Sequence, residues 1–309
     1  MKKYDRRRDN AMNEKQIREY LEKWGIEFET AIIDFIEELS RRAKVLQSDL
    51  YERLADFIRE NFDTEDGAFA KGKRNVQRII RIESVFDEFQ GARFSDEILK
   101  FGEQLMQVGG LTAEYYTGLE MAKAGQIQRG LDLLRAVIGI DDEGRIIPNG
   151  NLWKLARTEQ IRQEVRDYVV QSIVTKRRYT DFQRGLGALV KGNSDVDGTF
   201  QRYFRQYAYD TYNQAHEIVN TAISEDLGLT HFVYQGSIID TTRDFCRKKV
   251  GKVFTVAEAQ KWRNDPDLID KKTAATYNPL LERGRYNCRH FLQYISDEMA
   301  AQLKGNDSQ

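Results

Sequence analysis

IIDFIEELSRRAKVLQSDLYERLADF, residues 32–57, is the stretch that decides the fold. Its apolar side chains recur at steps of three and four residues, a spacing that places them on one face of an α-helix. This apolar stripe consists of Ile32, Phe35, Ile36, Leu39, Ala43, Leu46, Leu50, Leu54 and Phe57. Good helix formers continue on both sides of it, and no proline occurs before Pro148, so we predict one helix from about Asn13 to Asn61.

A helix of this length needs a partner along its length or a break near Gly25. With a rise of ~1.5 Å per residue the apolar stripe spans roughly 38 Å, which is longer than one side of a small bundle. We therefore expect part of the stripe to face another chain.

Helical spacing continues through most of the next 170 residues, interrupted by turn signals at Gly91 and at 141–150, a stretch rich in Gly, Pro, Asn and acidic residues. The predicted helical segments are 76–89, 94–123, 126–138, 152–174, 179–190 and a helix of about 28 residues that ends near Gly228. The first half of the chain is thus predicted to be a bundle of long helices.

After Gly228 the sequence becomes rich in β-branched and aromatic residues. Short strands are predicted at 231–235, 252–255 and 291–295, and Thr255-x-x-Glu258 has the spacing of a capping box that opens a short helix. The predicted fold class is mainly α: an N-terminal bundle of long helices followed by a small C-terminal α+β module. We predict three regions, namely 1–140, 141–228 and the module at 229–309.

Composition excludes several classes of protein. The 309 residues carry 48 Lys and Arg against 49 Asp and Glu, and no apolar run approaches the ~18–20 residues of a membrane span. The N-terminus lacks the apolar stretch of a signal peptide, and two cysteines do not form a disulfide framework, so we expect a reducing compartment and no membrane partner. Charge is polarised, because residues 231–295 hold twelve Lys and Arg against seven Asp and Glu.

Both cysteines and one of the three histidines lie in the C-terminal module: Cys246, Cys288 and His290. A Cys-x-His pair on a strand points both side chains to one face, and a thiolate from a preceding turn adds a third ligand for tetrahedral Zn²⁺. Asp240, Asp244 or a water molecule is the expected fourth ligand. Two alternatives stay open on this reasoning: two buried free thiols beside a structural histidine, or a disulfide between Cys246 and Cys288.

Three segments of the module form an ordered pattern: 234–246 (YQGSIIDTTRDFC), 251–254 (GKVF) and 286–290 (YNCRH). In order and spacing they resemble the C-terminal module of the Mu-F-like head-morphogenesis proteins, which are minor head proteins of tailed bacteriophages. The family pattern has His where this chain has Cys246, and Cys where it has His290. Each exchange replaces one zinc-compatible ligand by another, which strengthens the metal hypothesis. Asp210-Thr211-Tyr212 stands near the place where the family often carries Arg-Thr-Glu.

The resemblance covers about 65 residues and implies a structural role without catalysis. It implies a minor virion protein at or near the portal vertex, present in several copies, which contacts portal and capsid proteins and packaged DNA. Such a protein takes part in head assembly, genome packaging or retention, or genome delivery. Its expected location is the host cytoplasm during assembly and the head interior or portal vertex of the virion afterwards.

Two other functions compete with this interpretation. A zinc-dependent hydrolase or nuclease would use the same Cys and His residues, with His231 or Asp244 as the base. A nucleic-acid-binding module would use the local positive charge with Lys248, Arg285 and Arg289. The remaining candidates, His216 and the basic runs 6–8 and 176–178, are interpreted as a structural histidine and as solvated charge.

Overall fold

A computed structural model describes residues 12–148, 150–268, 276–285 and 288–305 of the chain. The fold is mainly α with a small C-terminal sheet, as predicted. The helices up to the module are α1 (Glu14–Asn61), α2 (Lys73–Ile79), α3 (Ile82–Phe89), α4 (Ser95–Gly118), α5 (Ala124–Ile138), α6 (Asn151–Ala156), α7 (Glu159–Val174), α8 (Tyr179–Val190) and α9 (Thr199–Asp226). None of the helices in these described ranges is both long enough and apolar enough to cross a lipid bilayer.

Helix α1 confirms the predicted long helix and runs through Gly25 without a break. The apolar stripe is the inner face of this helix, because Leu39, Leu46, Leu50 and Leu54 are at most 2% exposed within the single chain. These four positions are covered by the chain itself, whereas Phe35, Ile36 and Phe57 of the stripe are half-buried, and contact of part of the stripe with another chain stays a prediction.

The predicted segment 76–89 is divided into α2 and α3, and Gly91 does not end the helical path. A π-helical turn, Gln90–Phe94, joins α3 to α4 instead. Val76 and Ile80, expected on the apolar face, are 56% and 76% exposed. The predicted helix 152–174 is likewise divided, because Thr158 adopts a left-handed conformation (φ 50°) between α6 and α7.

Strands β1 (Thr64–Glu65) and β2 (Ala68–Phe69) form a short antiparallel hairpin that the sequence analysis missed. The turn 66–67 is an Asp-Gly pair in which both residues have positive φ, the conformation of tight hairpin turns. With only four residues in its strands, the hairpin is too short for an alternating apolar pattern to appear in the sequence.

The C-terminal module contains β3 (His231–Gln235), α10 (Asp244–Arg247), β4 (Val253–Thr255), α11 (Val256–Ala259), a 3₁₀ turn (Gln260–Asn264), α12 (Pro279–Glu282), β5 (Phe291–Ile295) and α13 (Asp297–Lys304). All three predicted strands are confirmed. Strand β3 lies in the centre and pairs antiparallel with β4 on one side and β5 on the other. The capping box is also present, since the Thr255 side chain accepts from the Glu258 backbone N–H and the Glu258 carboxylate accepts from that of Thr255.

By contacts the chain divides into two compact units. The first unit comprises 1–33, 106–134 and 209–309, and the second comprises 34–105 and 135–208. In the first unit, the start of α1 packs on β5: the Phe28 and Phe291 ring centroids are 4.9 Å apart, and the Gln293 side chain donates to the Leu21 carbonyl.

The second unit has an apolar centre. The rings of Phe89, Phe94 and Phe200 lie within 5.7 Å of one another by their centroids, and each is at most 1% exposed. Arg162, largely buried beside them, donates to Glu83 and to Asp87 at 2.8 and 2.9 Å. Burial of apolar surface is therefore the main source of stability in this unit.

Candidate metal centre

Three segments of the module bring Cys246, Cys288 and His290, the Cys/His cluster, together. A turn closed by the Thr242 N–H and the Ile239 carbonyl leads into α10, which carries Cys246. Cys288 and His290 immediately precede β5, whose first residue pairs with the last residue of β3. The sheet register therefore carries His290 beside the end of β3.

The side chains of the Cys/His cluster are 2–5% exposed. The two sulfur atoms are 3.8 Å apart, and Cys288 Sγ lies 3.6 Å from His290 Nδ1. The ligand atoms of all three residues lie within 4.8 Å of one another, so this buried group can hold a metal ion. Both cysteines are free thiols, which excludes the predicted alternative of a disulfide in this structure.

The pKa values of the two thiols are shifted in opposite directions. For Cys246, the hydrogen bond with Cys288 and burial raise the pKa. For Cys288, the same hydrogen bond, with His290 and Arg283 nearby, lowers the pKa well below its ordinary value. Because the thiolate is the form that binds a metal, the lowered pKa favours Cys288 as a ligand.

Tyr234 and Gly284 cover the Cys/His cluster, and the sequence analysis assigned neither to the site. The Tyr234 hydroxyl lies 3.3 Å from Cys246 Sγ and 3.7 Å from Cys288 Sγ, and its ring stacks on His290. A methyl group on Gly284 would lie 2.4 Å from Cys246 Sγ. No motif marks such positions, because they matter only through the proximity of segments that are distant in the chain.

The backbone around Gly284 is unusual. Arg283 and Arg285 have φ values of 46° and 66°, a region that costs residues with a side chain about 1–3 kcal/mol and that concentrates at functional sites. The Arg243 guanidinium donates to the Gly284 carbonyl at 2.8 Å, which holds this backbone in place. The segment over the sulfur atoms is therefore fixed by contacts rather than by its own conformational preference.

A pocket of about 160 Å³ adjoins the cluster on another side. Besides Ile239 and the three cluster residues, its described lining residues are Thr241, Thr242, Arg243 and Arg289. Nε2 of His290, which lines this pocket, has no hydrogen-bond partner among the described residues. The buried cluster thus adjoins a pocket whose lining residues are polar and positively charged.

The other predicted site residues lie elsewhere. Asp240 and Asp244 are exposed, and neither belongs to the group of ligand atoms or lines the pocket. His231 contacts the carboxylate of Asp297 at 2.8 Å. Arg285, proposed for nucleic-acid contact, is only 7% exposed, so its side chain is unsuited to binding a phosphate backbone.

A second buried polar group lies in the same unit, where the Arg283 guanidinium pairs with the Glu217 carboxylate. His216, interpreted as structural, is 1% exposed, and its Nδ1 lies 2.8 Å from the Thr112 hydroxyl. Burial lowers the pKa of His216 to about 3 and raises the pKa of Glu217 to about 7, although Arg283 acts against the latter shift. His216 is therefore neutral, which suits a structural role.

Two residues of the third resembling segment, Tyr286 and Asn287, lie outside the described residues, as does the basic run 6–8. The other residues on which the resemblance depends, including Cys246 and Cys288, lie in the described part of the module. No protein-family model matches the chain, and no curated protein or solved structure is significantly similar to it. The site must therefore be interpreted from its own geometry.

Proposed function

We propose that this chain is a minor structural protein of a tailed-phage head, bound at or near the portal vertex, whose C-terminal module is held together by zinc. The observation that supports the proposal is the convergence of Cys246, Cys288 and His290 on one buried group. These are the positions at which the sequence resembles the phage family while exchanging Cys for His and His for Cys. An exchange that keeps zinc-compatible ligands and keeps them together in space favours a retained metal site.

The distances in the cluster support zinc as the ion. Tetrahedral Zn²⁺ with Zn–S of about 2.3 Å and Zn–N of about 2.05 Å requires S···S of about 3.8 Å and S···N of about 3.6 Å. The observed Sγ···Sγ and Cys288 Sγ···His290 Nδ1 distances are 3.8 and 3.6 Å. Two edges of the tetrahedron are therefore already close to the length that bound zinc would impose.

A small module gains from such a site. Its three-stranded sheet has strands of only three to five residues, too short for much stability of their own. Zinc joins β5 to α10 across 42 residues of chain, and structural zinc contributes on the order of 10–16 kcal/mol to small metal-folded peptides. The role we propose for the ion is therefore to hold the module in shape.

Metal content tests the zinc half of the proposal. Protein purified without chelator should carry about one equivalent of zinc by elemental analysis, and Cys246→Ser and Cys288→Ser should each lose it. Arg263→Gln, at an exposed position of the same module, is the control and should retain the metal. Metal-free wild-type protein with an equally stable module would contradict the zinc proposal.

Particle composition tests the phage half. Mass spectrometry of density-purified heads should detect this chain in several copies, together with portal and capsid proteins. Deletion of the coding sequence should reduce the yield of DNA-filled heads while capsid protein is still made. The proposal fails if the chain is absent from purified particles and its deletion leaves filled heads unchanged.

A zinc-dependent hydrolase or nuclease is the second candidate, favoured by the pocket beside the cluster. Catalytic zinc keeps three protein ligands and an open position, and two arginines line this pocket. The nearby carboxylates of Asp240 and Asp244 do not line it, so a general base from either is not in place. Metal-dependent cleavage of DNA that disappears in Arg289→Gln, in the pocket lining, with an intact fold and bound metal would favour the enzyme over the structural protein.

A further inference from the structure

The Cys/His cluster supplies three ligands, whereas zinc in proteins is almost always four-coordinate. The Tyr234 hydroxyl donates to Cys246 Sγ at 3.3 Å and lies 3.7 Å from Cys288 Sγ. Among the described residues, Asp240 is exposed and outside the group, so it does not complete the set. Within the part of the chain that the structure describes, no carboxylate, thiol or imidazole completes the group, so its fourth position is open to an outside ligand.

We propose that a phosphate group enters the pocket beside the cluster and supplies the fourth ligand of the metal held by Cys246, Cys288 and His290. This inference rests on the metal site of the proposed function and adds a ligand to it. A phosphate oxygen is a small, anionic ligand that zinc accepts in place of water. The pocket, at about 160 Å³, has room for several water-sized groups.

The charge of the pocket favours an anion. Its described lining includes Arg243, Arg289, Thr241 and Thr242, and it includes no carboxylate. Guanidinium groups bind phosphate through paired, charge-assisted hydrogen bonds, and threonine hydroxyls add further donors. The two thiolates would neutralise the charge of a bound Zn²⁺, so the positive charge of the pocket comes from Arg243 and Arg289.

His290 adds an independent observation. Its Nδ1 is the nitrogen that lies 3.6 Å from Cys288 Sγ, which assigns this nitrogen to the metal. The other nitrogen, Nε2, is then an N–H donor that is buried and has no partner among the described residues. Metal-bound histidines almost always donate this second N–H to an acceptor. His290 lines the adjoining pocket, so a phosphate oxygen bound there would be the acceptor that we propose.

The test uses the full chain loaded with one equivalent of Co²⁺, which occupies zinc sites and reports its ligands. We expect the visible absorption of tetrahedral Co²⁺ with thiolate ligands, and we expect it to change saturably as inorganic phosphate is added. Phosphorus NMR should show broadening of the phosphate signal by the bound Co²⁺ and none in the metal-free protein. Excess metal is removed beforehand, so that cobalt phosphate does not form.

Matched variants assign the effect to the pocket. Arg289→Gln should weaken phosphate binding about tenfold or more while leaving the cobalt spectrum without phosphate unchanged. Arg289→Lys keeps the charge and should restore part of the affinity, whereas the exposed Arg263→Gln should have no effect. Competition by a short oligodeoxynucleotide would identify backbone phosphate as the source, and its failure to compete would identify free phosphate or a monoester.

The possible failures are distinguishable. If Co²⁺ binds but phosphate changes neither the spectrum nor the NMR signal, the phosphate inference is wrong and the metal site stands. If phosphate binds equally well to Arg289→Gln, it binds elsewhere and the inference is also wrong. If no metal binds to the wild-type chain, both the inference and the zinc proposal fail.

Discussion

The surroundings of Phe94 in the second unit and those of Cys288 in the C-terminal module bury different kinds of side chain. Around Phe94 the second unit packs aromatic rings, whereas around Cys288 the module buries thiols, an imidazole and two arginines. Burial by itself stabilises apolar groups, whereas burial of a polar or charged group is destabilising unless the group finds a partner. The difference teaches that packing around Phe94 is stabilised by buried apolar area, whereas the Cys/His cluster depends on specific pairs, which the zinc that we propose would complete.

The sharpest test of this difference is removal of the metal. Chelation, or Cys288→Ser, should unfold the module, with a loss of several kcal/mol, because the zinc that we propose would join β5 to α10. Most of the helical circular dichroism should persist, since α2, α3 and the other helices of the second unit contain no part of the cluster. Chelator should have no further effect on Cys288→Ser, and loss of all helical signal in one step would contradict the comparison.

The converse test removes a ring from the second unit. Phe94→Ala should reduce the free energy of unfolding by about 3–5 kcal/mol, because Phe94 is fully buried between Phe89 and Phe200. Zinc content should stay at the wild-type level. Denaturant titration gives the first quantity and elemental analysis the second, and metal loss in this variant would show that the two regions are not independent.

A third test adds one methyl group over the sulfur atoms. Gly284→Ala would place Cβ 2.4 Å from Cys246 Sγ and 3.1 Å from Cys288 Sγ, so we expect a loss of about 1–3 kcal/mol and weaker metal binding. Gly110→Ala is the control, because its added methyl group meets nothing within 4 Å and a helix interior favours alanine. Equal affinity for metal in both variants would mean that Gly284 does not cover the site.

The smallest effect concerns Glu217 and pH. Its pKa in the folded protein is raised to about 7, above the ordinary value of about 4.5, mainly by burial. The folded state therefore holds this proton more tightly, and the stability so gained is lost as the pH rises from about 4.5 to about 7. Glu217→Gln abolishes this titration. Over that pH range the wild-type protein should therefore lose unfolding free energy relative to the variant, on the order of 1–3 kcal/mol.

Denaturant titrations of both proteins at several pH values measure the effect. His216 also titrates differently in the folded and unfolded states, but it is present in both proteins and cancels in the difference. A difference that is constant between pH 4.5 and 7 would show that Glu217 is ionised throughout as the partner of Arg283.

Local sequence patterns predicted the secondary structure correctly where the apolar periodicity of a helix or strand continued over the whole element. Helix α1, helix α9 and the strands β3 and β5 have the predicted bounds within a residue or two, because spacing, capping and β-branched content act within a few residues. The predictions failed where a single residue changed the path of the chain, as at Thr158, or where a π-helical turn bridged Gly91. Such changes depend on packing and leave no periodic trace.

For the site, the sequence by itself determined which residue types are available for a metal, and the spacing of Cys288 and His290 placed both near one strand end. Only the tertiary structure decided that Cys246 joins them, that Asp240 does not, and that Tyr234 and Gly284 cover the sulfur atoms. The physical reason is that ligand geometry depends on distances of a few ångströms between segments about 40 residues apart. The pairing of β3 with β5 and the backbone at Arg283 and Arg285 set those distances, and neither can be read from local propensity.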